Sequence, residues 1–520
     1  MKTVIGLDYG TQAARGILVD TATGKVLCSH TVRYAHGVVD GDLADAEDYE
    51  AALEELIQKA IPKELRDTVV GICVDATSFT LVGVDKQGRI LAQIPEYKDR
   101  LHAQIKLWKY HRAQKQADEA QTIARKMGEK FLGRTGGSVS SEWALPKLLE
   151  MKQEDPEVYE QMDLAFDLCE FLTYRLTGTI KRSVGSMCYK GLWSEDLGFP
   201  SDKYLDTLAE GFAEEYKHRM RGEVLRPSEA AGYLKPQLCE KFGLQKDVIV
   251  AAGVLDGHTA LAALGALREG DGALVIGTSN VFTIQTPKMR EVEGICGIAF
   301  HGLTPGLYGI DSGQSGTGDM LEWYVKNALP EEIGEEAKKR GISEHQILTE
   351  RIENPWENRV IAADWWNGSR NVPCNLQLKG TLYGISLQTK PEEVYLALLQ
   401  SIVCGTGKII QQCESYGIMV KRLLATGGIT GKNPFLMQEY ANLLNREILV
   451  GEVEEGPALG TAIFAAVAAG IYETSEEAYR FMGVQEFVTY KPDQEHQTAY
   501  QILYKKNEKL RNMAIEMEQG

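Results

Sequence analysis

Residues 6–16, GLDYGTQAARG, are the stretch whose reading decides the fold. The apolar run of Val4, Ile5 and Leu7 predicts a strand that ends in Asp8, Gly10, Thr11 and Gln12, with Arg15 beyond the bend. Two readings are open. One is a tight hairpin with ordinary turn residues. The other is a backbone loop that holds phosphate. In that loop Gly10 lets the main chain approach a ligand, and Thr11 offers a hydroxyl and an amide hydrogen. Asp8 is a hard carboxylate able to hold Mg2+ through water, and Arg15 can balance phosphate charge. Taken alone, the stretch fits the hairpin better.

Working outward, the bend has a counterpart. VIGTSN (275–280) again sets a strand before Gly277 and Thr278, with Ser279 following. Two such bends could grip a phosphate chain from both sides. VLDGH (254–258) puts Asp256 between a strand and a helix, where it can cap the helix or accept a proton from a hydroxyl nucleophile. In ATGGITGKN (425–433) a strand meets Gly427 and Gly428, and a helix starts near Asn433. Glycines there leave room for a flat base or ribose, though a merely glycine-rich loop would look the same.

The flanking chain predicts an α/β protein. Three strands joined by Gly-containing turns come first, then a helix at 45–61 with Leu53, Leu56, Ile57 and Ile61 on one face, then further strands. Residues 100–240 read as mostly helical and polar; SSEWALPKLLEMK is expected to open on a Ser cap. From about residue 248 strand and helix alternate again. The pattern predicts two similar domains facing each other, 1–252 and 253–485, with an amphipathic helical tail over 486–520.

Composition excludes several function classes. The 520 residues exceed one core. A net charge of −17, from 56 basic and 73 acidic residues, argues against nucleic acid and anionic membranes as partners. The nine cysteines form no CxxC pair and read as buried thiols of a reducing cytoplasm. The first residues reach Gly6, Asp8 and Gly10 before any long apolar run, so no signal peptide is expected. Walker A, GxGxxG and HExxH patterns are all missing.

Together with VDAT (74–77), LWKYH (107–111), SSEWALPKLL (140–149), YKGLW (189–193), YGIDSGQSGTGD (308–319) and DWWNG (364–368), these stretches resemble the FGGY carbohydrate kinase family of the actin-like ATPase superfamily, over roughly 2–485. Its ribulokinase branch is the most similar. The resemblance implies two actin-like (ribonuclease H-like) domains about a central cleft. It also implies ATP with Mg2+ phosphorylating a ketopentose, L-ribulose first. Asp8, Gly10, Thr11 and Gln12 match its first phosphate loop and Gly277 and Thr278 its second. Asp256 matches its catalytic base, and Gly318, Gly427, Gly428 and Asn433 its adenosine side. Lys190 matches a lysine that contacts the sugar, while Asp75, Trp108 and Glu142 fall in segments on the sugar side. Two positions depart from that branch: Tyr110 where it reads LWKDH, and Asp311 where it reads YGIEAGQS. Asp is one methylene shorter than Glu, so a sugar hydroxyl met there must shift or be bridged by water. D-ribulose, xylulose or another polyol therefore stays open. So do a non-catalytic sugar or nucleotide sensor and a homodimer.

Overall fold

The computed structural model describes residues 1–451, 453 and 455–519. Two seven-stranded sheets organise them, and both follow one plan. In the first, Thr3–Tyr9, Ala13–Asp20 and Val26–Arg33 form an antiparallel meander. Val69–Ala76 then joins Thr3–Tyr9 in parallel, Ile249–Ala251 follows in parallel, and Ala230–Tyr233 closes antiparallel. In the second, Asp271–Ile276, Asn280–Thr286 and Tyr308–Gln314 form the meander. Arg422–Thr426 and Ile448–Gly451 add in parallel, and Phe487–Tyr490 closes antiparallel. The repeat seen in the sequence is thus a repeat of topology.

Local sequence explains the elements. Val4, Ile5 and Leu7 are buried, which is how a central strand covered on both faces reads. The Ala46–Ala60 helix starts where the Asp45 side chain accepts the Glu47 N–H, and it turns Tyr49, Leu53, Leu56 and Ile57 inward. Pro391–Ser415 is long and apolar enough to cross a membrane, yet most of it is buried in the core of the second half.

Three places differ from the expectation. Val254–Leu255 pairs with Val69–Ala76, so the first sheet reaches past residue 252. The segment from 486 opens with the strand Phe487–Tyr490; only Gln497–Gln519 is helix. The Ala144–Glu154 helix has Trp143 at its N-cap and no side-chain cap, because Ser140 Oγ accepts the Glu142 N–H one turn earlier.

The halves share a core. The Gly456–Ala468 helix, which follows the second sheet's strands, packs on Thr3–Tyr9 and Val69–Ala76 of the first sheet and on the Asp256–Leu264 helix. The approach is backbone to backbone. A Cβ on Gly6 would run into the Ala458 carbonyl, and one on Gly460 into the Thr259 carbonyl. The cleft opens beside this seam.

Candidate active site

Strand register builds the acidic floor. Asp8 stands opposite Asp75 on the parallel neighbour, and Val254 pairs with Asp75, which leaves Asp256 just past that strand's end. Three carboxylates therefore gather at the carboxyl ends of adjacent strands, the usual ligand edge of such sheets. In the second sheet the same edge carries Gly277 and Thr278 after one strand and Gly427 and Gly428 after the next.

A cavity of about 1790 Å3 lies between these edges. It brings together Asp8, Gly10, Thr11 and Gln12 with Gly277 and Thr278, and these with Asp256, Trp108, Glu142, Lys190 and Asp311. The two Gly-Thr bends thus belong to one cavity, 267 positions apart in sequence by the difference 278 − 11.

Other residues expected at the site fall elsewhere. Arg15 does not line the cavity. It stands opposite Asp8 across the hairpin, and its Nε pairs with Glu455 at 2.8 Å, so it acts on Asp8 only through its field. Asp75 is fully buried behind Asp8 instead of facing sugar. Its Oδ2 accepts the hydroxyls of Thr259, at 3.1 Å, and Thr461, one from each central helix. Gly318, Gly427, Gly428 and Asn433 lie outside the cavity wall. Gly318 N–H donates to the Gly277 and Thr278 carbonyls and so holds the second bend against its helix. Gly427 has φ +121°, and a Cβ there would strike the Ile276 carbonyl. Asn433 caps Pro434–Leu444 by accepting the Leu436 N–H at 2.9 Å, and the space beside Gly428 is open.

Tyr110 does not line the cavity either. It is fully buried, donates to Glu150 Oε2 at 2.8 Å, and lies under the Lys106 ammonium, 4.5 Å from its ring centre. It cannot touch a ligand in the cleft.

The electrostatics follow from packing. Burial raises the Asp8 carboxyl, partly offset by a hydrogen bond from Asp75 and by Arg15. Burial and the neighbouring Asp8 push Asp75 far up, so Asp75 is the neutral donor of that pair. Asp256 is pushed up to about 7 by burial, then by Asp8, with Asp311 contributing. A carboxylate at that value is half ionised at neutral pH, the condition that suits a general base. Its Oδ1 accepts the Gly257 N–H at 2.6 Å.

On the opposite wall Glu142 behaves in the reverse way. Burial alone would raise it, but Arg370, a hydrogen bond from His111 and Lys190 more than offset this and hold it well below the usual range. The distances are 2.8 Å to Arg370, 3.0 Å to His111 and 3.8 Å to Lys190. Sequence reasoning missed Arg370 and His258. Arg370 lies 228 positions from Glu142, and no spacing rule links them. His258 Nε2 is 3.7 Å from Asp311 Oδ2, and its ring packs on Tyr189. The only signal for it was its place two residues after Asp256.

Comparison with known proteins gives one family. The model of the FGGY family of carbohydrate kinases, N-terminal domain, matches residues 3–265, and that of its C-terminal domain matches 272–469. A ribulokinase of Halalkalibacterium halodurans is 37% identical over 524 residues, covering 97% of this chain and 93% of the relative. A ribulokinase of Anoxybacillus flavithermus is 37% identical over 530 residues, covering 98% and 94%. Among solved structures, xylulose kinase from Rhodospirillum rubrum superposes with a TM-score of 0.81 at 20% identity, covering all of both chains. Ligand-bound xylulose kinase from Lactobacillus acidophilus gives 0.80 at 18% identity, covering 99% of this chain and 98% of that one. At such identities these structures establish the fold.

Proposed function

Given that the chain belongs to the FGGY family of carbohydrate kinases, we propose that it moves the terminal phosphoryl group of ATP to the terminal primary hydroxyl of a ketopentose, L-ribulose giving L-ribulose 5-phosphate. The observation that carries this reading is Asp256, raised to about 7 and set in one cavity with both Gly-Thr bends. Its carboxylate accepts the hydroxyl proton as the sugar oxygen attacks the γ-phosphorus in line and the bond to ADP breaks. Phosphoryl transfer asks for positioning and charge neutralisation more than for covalent chemistry. Thr11 and Thr278 donate to the phosphate oxygens from opposite sides. Trp108, Lys190, Glu142 and Asp311 hold the sugar, and the open side of Gly428 faces the adenosine.

The acidic floor suits a divalent cation. No group of three or more ligands forms a ready cage among the described residues. Yet Asp8 is a hard oxygen donor that lines the cavity with both bends, and the Asp75 hydrogen bond and the Arg15 field favour its charged form. A magnesium ion is commonly held by one or two carboxylates, substrate phosphates and water. Asp8 would hold it through its water shell, with Asp75 fixing the Asp8 carboxylate. The ion supplies neutralisation of the phosphate charge.

A second acceptor is favoured by one observation. Asp311 is one methylene shorter than Glu and stands 3.7 Å from His258, so the hydroxyl it meets is set differently, which keeps D-ribulose, xylulose or another polyol as acceptors to test. The deciding experiment incubates the enzyme with ATP and a panel of ketopentoses and polyols, then locates the phosphorylated carbon by phosphorus NMR. L-Ribulose is expected to give the highest kcat/KM, with phosphate on carbon 5. ATP hydrolysis indifferent to every sugar would overturn the reading.

A further inference from the structure

We infer that Arg370 is a positioning residue that latches the second half of the molecule to the first and, through Trp108, aims the Thr11 hydroxyl at the phosphate. The inference rests on the kinase reading above. Arg370 lies between the strands Ile361–Ala363 and Thr381–Tyr383 of the second half. Both its partners belong to the first half. Its Nη2 donates to Glu142 Oε1 at 2.8 Å, and its guanidinium carbon stands 5.2 Å from the Trp108 ring centre. Trp108 Nε1 in turn donates to Thr11 Oγ1 at 3.0 Å.

The last contact fixes a proton. A hydroxyl has one hydrogen and two lone pairs. With a lone pair engaged by the indole N–H, the Thr11 hydrogen turns away from Trp108, which leaves it free to donate to a ligand. Loss of Arg370 frees the ring, and with it the hydroxyl orientation.

The mount is rigid while the latch can open. Ser369 and Asn371 on either side are buried. Ser369 pairs with Asn375 through two backbone hydrogen bonds of 3.0 and 2.9 Å, and Asn371 Nδ2 donates to the Gly313 carbonyl. The Arg370 side chain itself is 25% exposed. Glu142 keeps His111 and Lys190 when Arg370 leaves, and both lie in the first half, so the wall survives without the latch. Arginine is the residue that can both lie on an indole face and donate in its own plane to a carboxylate; lysine gives one or the other.

The test uses Arg370→Ala, Arg370→Lys, Trp108→Phe and the double variant Arg370→Ala/Trp108→Phe in the full chain. Arg370→Ala is expected to lower sugar-stimulated kcat about tenfold or more while sugar KM moves less than about threefold. Its Tm should stay within about 2 °C of the parent. Arg370→Lys should recover only part of the loss, and the double variant should be no worse than Trp108→Phe alone. A second arm reads amide hydrogen exchange over residues 7–13 with L-ribulose and a non-hydrolysable ATP analogue. Protection is expected in the parent and missing in Arg370→Ala. Unchanged kcat and protection in Arg370→Ala, or losses that simply multiply in the double variant, overturn the latch. A parent that phosphorylates no sugar yet shows Arg370-dependent protection overturns the function and leaves the latch standing.

Discussion

Asp256 joins two requirements that pull against each other. As a base it must be ionised, so kcat/KM should rise with pH and level off above about 7. As a buried group it is more stable neutral. Its folded value lies above the ordinary 3.8, so the folded state binds the extra proton between those values. Stability is therefore fullest below about pH 4 for this group and falls as pH rises towards 7. Asp256→Asn should lose about 100- to 10,000-fold in kcat while still binding ATP. The same variant should be more stable than the parent at pH 8 by about 1–3 kcal/mol, a gain that fades towards pH 4. Urea titrations at both pH values would check this; equal stability at pH 8 would mean the strain is not at this carboxyl. Tyr110→Phe tests the opposite kind of residue. It should cost about 1–2 kcal/mol by leaving Glu150 and Lys106 short of a partner, and leave the ranking of sugars unchanged. A changed ranking in the sugar panel would return Tyr110 to the substrate. The place of Asp256 at a strand-to-helix junction was legible, but position left cap and base both open, and the base role came from the family resemblance. Tyr110 was misread because a motif shows identity and not the direction of a side chain. Asp75 was misread for the same reason, since its partners Thr259 and Thr461 lie 184 and 386 positions away.

Among elements, the two central helices set the seam. Gly460 is the point where Gly456–Ala468 meets the Asp256–Leu264 backbone. Gly460→Ala should cost about 2 kcal/mol or more, because the Cβ would meet the Thr259 backbone, which cannot yield without its helix. It should also weaken turnover, since Asp256 opens one of these helices. Gly428→Ala is the contrast. Nothing lies within 4 Å of a Cβ there, so Tm should be unchanged while KM for ATP rises. A thermal melt and one ATP titration separate the pair; a normal KM in Gly428→Ala would place the adenosine elsewhere. The strands and their Gly-ended turns were legible from alternation and punctuation, and the Gly178 helix end with its φ of +79° is one such mark. The Phe487–Tyr490 strand was not, because an edge strand with half-exposed residues carries no apolar alternation.

At the scale of the whole molecule, the proposed function places a small sugar and a nucleotide between two bodies that share one core seam. If both ligands draw the halves together, each lowers the cost of closing the cleft for the other. L-Ribulose and a non-hydrolysable ATP analogue together should raise Tm by more than the sum of their separate shifts, at matched concentrations. Strict additivity would mean that the halves do not respond to each other. The shared strand plan also shows where the two halves differ. Aligning Gly10-Thr11 with Gly277-Thr278 sets Val275 where Asp8 stands, and Val275 also lines the cavity. The copies have divided the labour, one jaw charged and the other greasy. Restoring symmetry with Val275→Asp would crowd a further anion against the incoming polyphosphate, so a matched pair of acidic jaws would repel the very group they are built to grip.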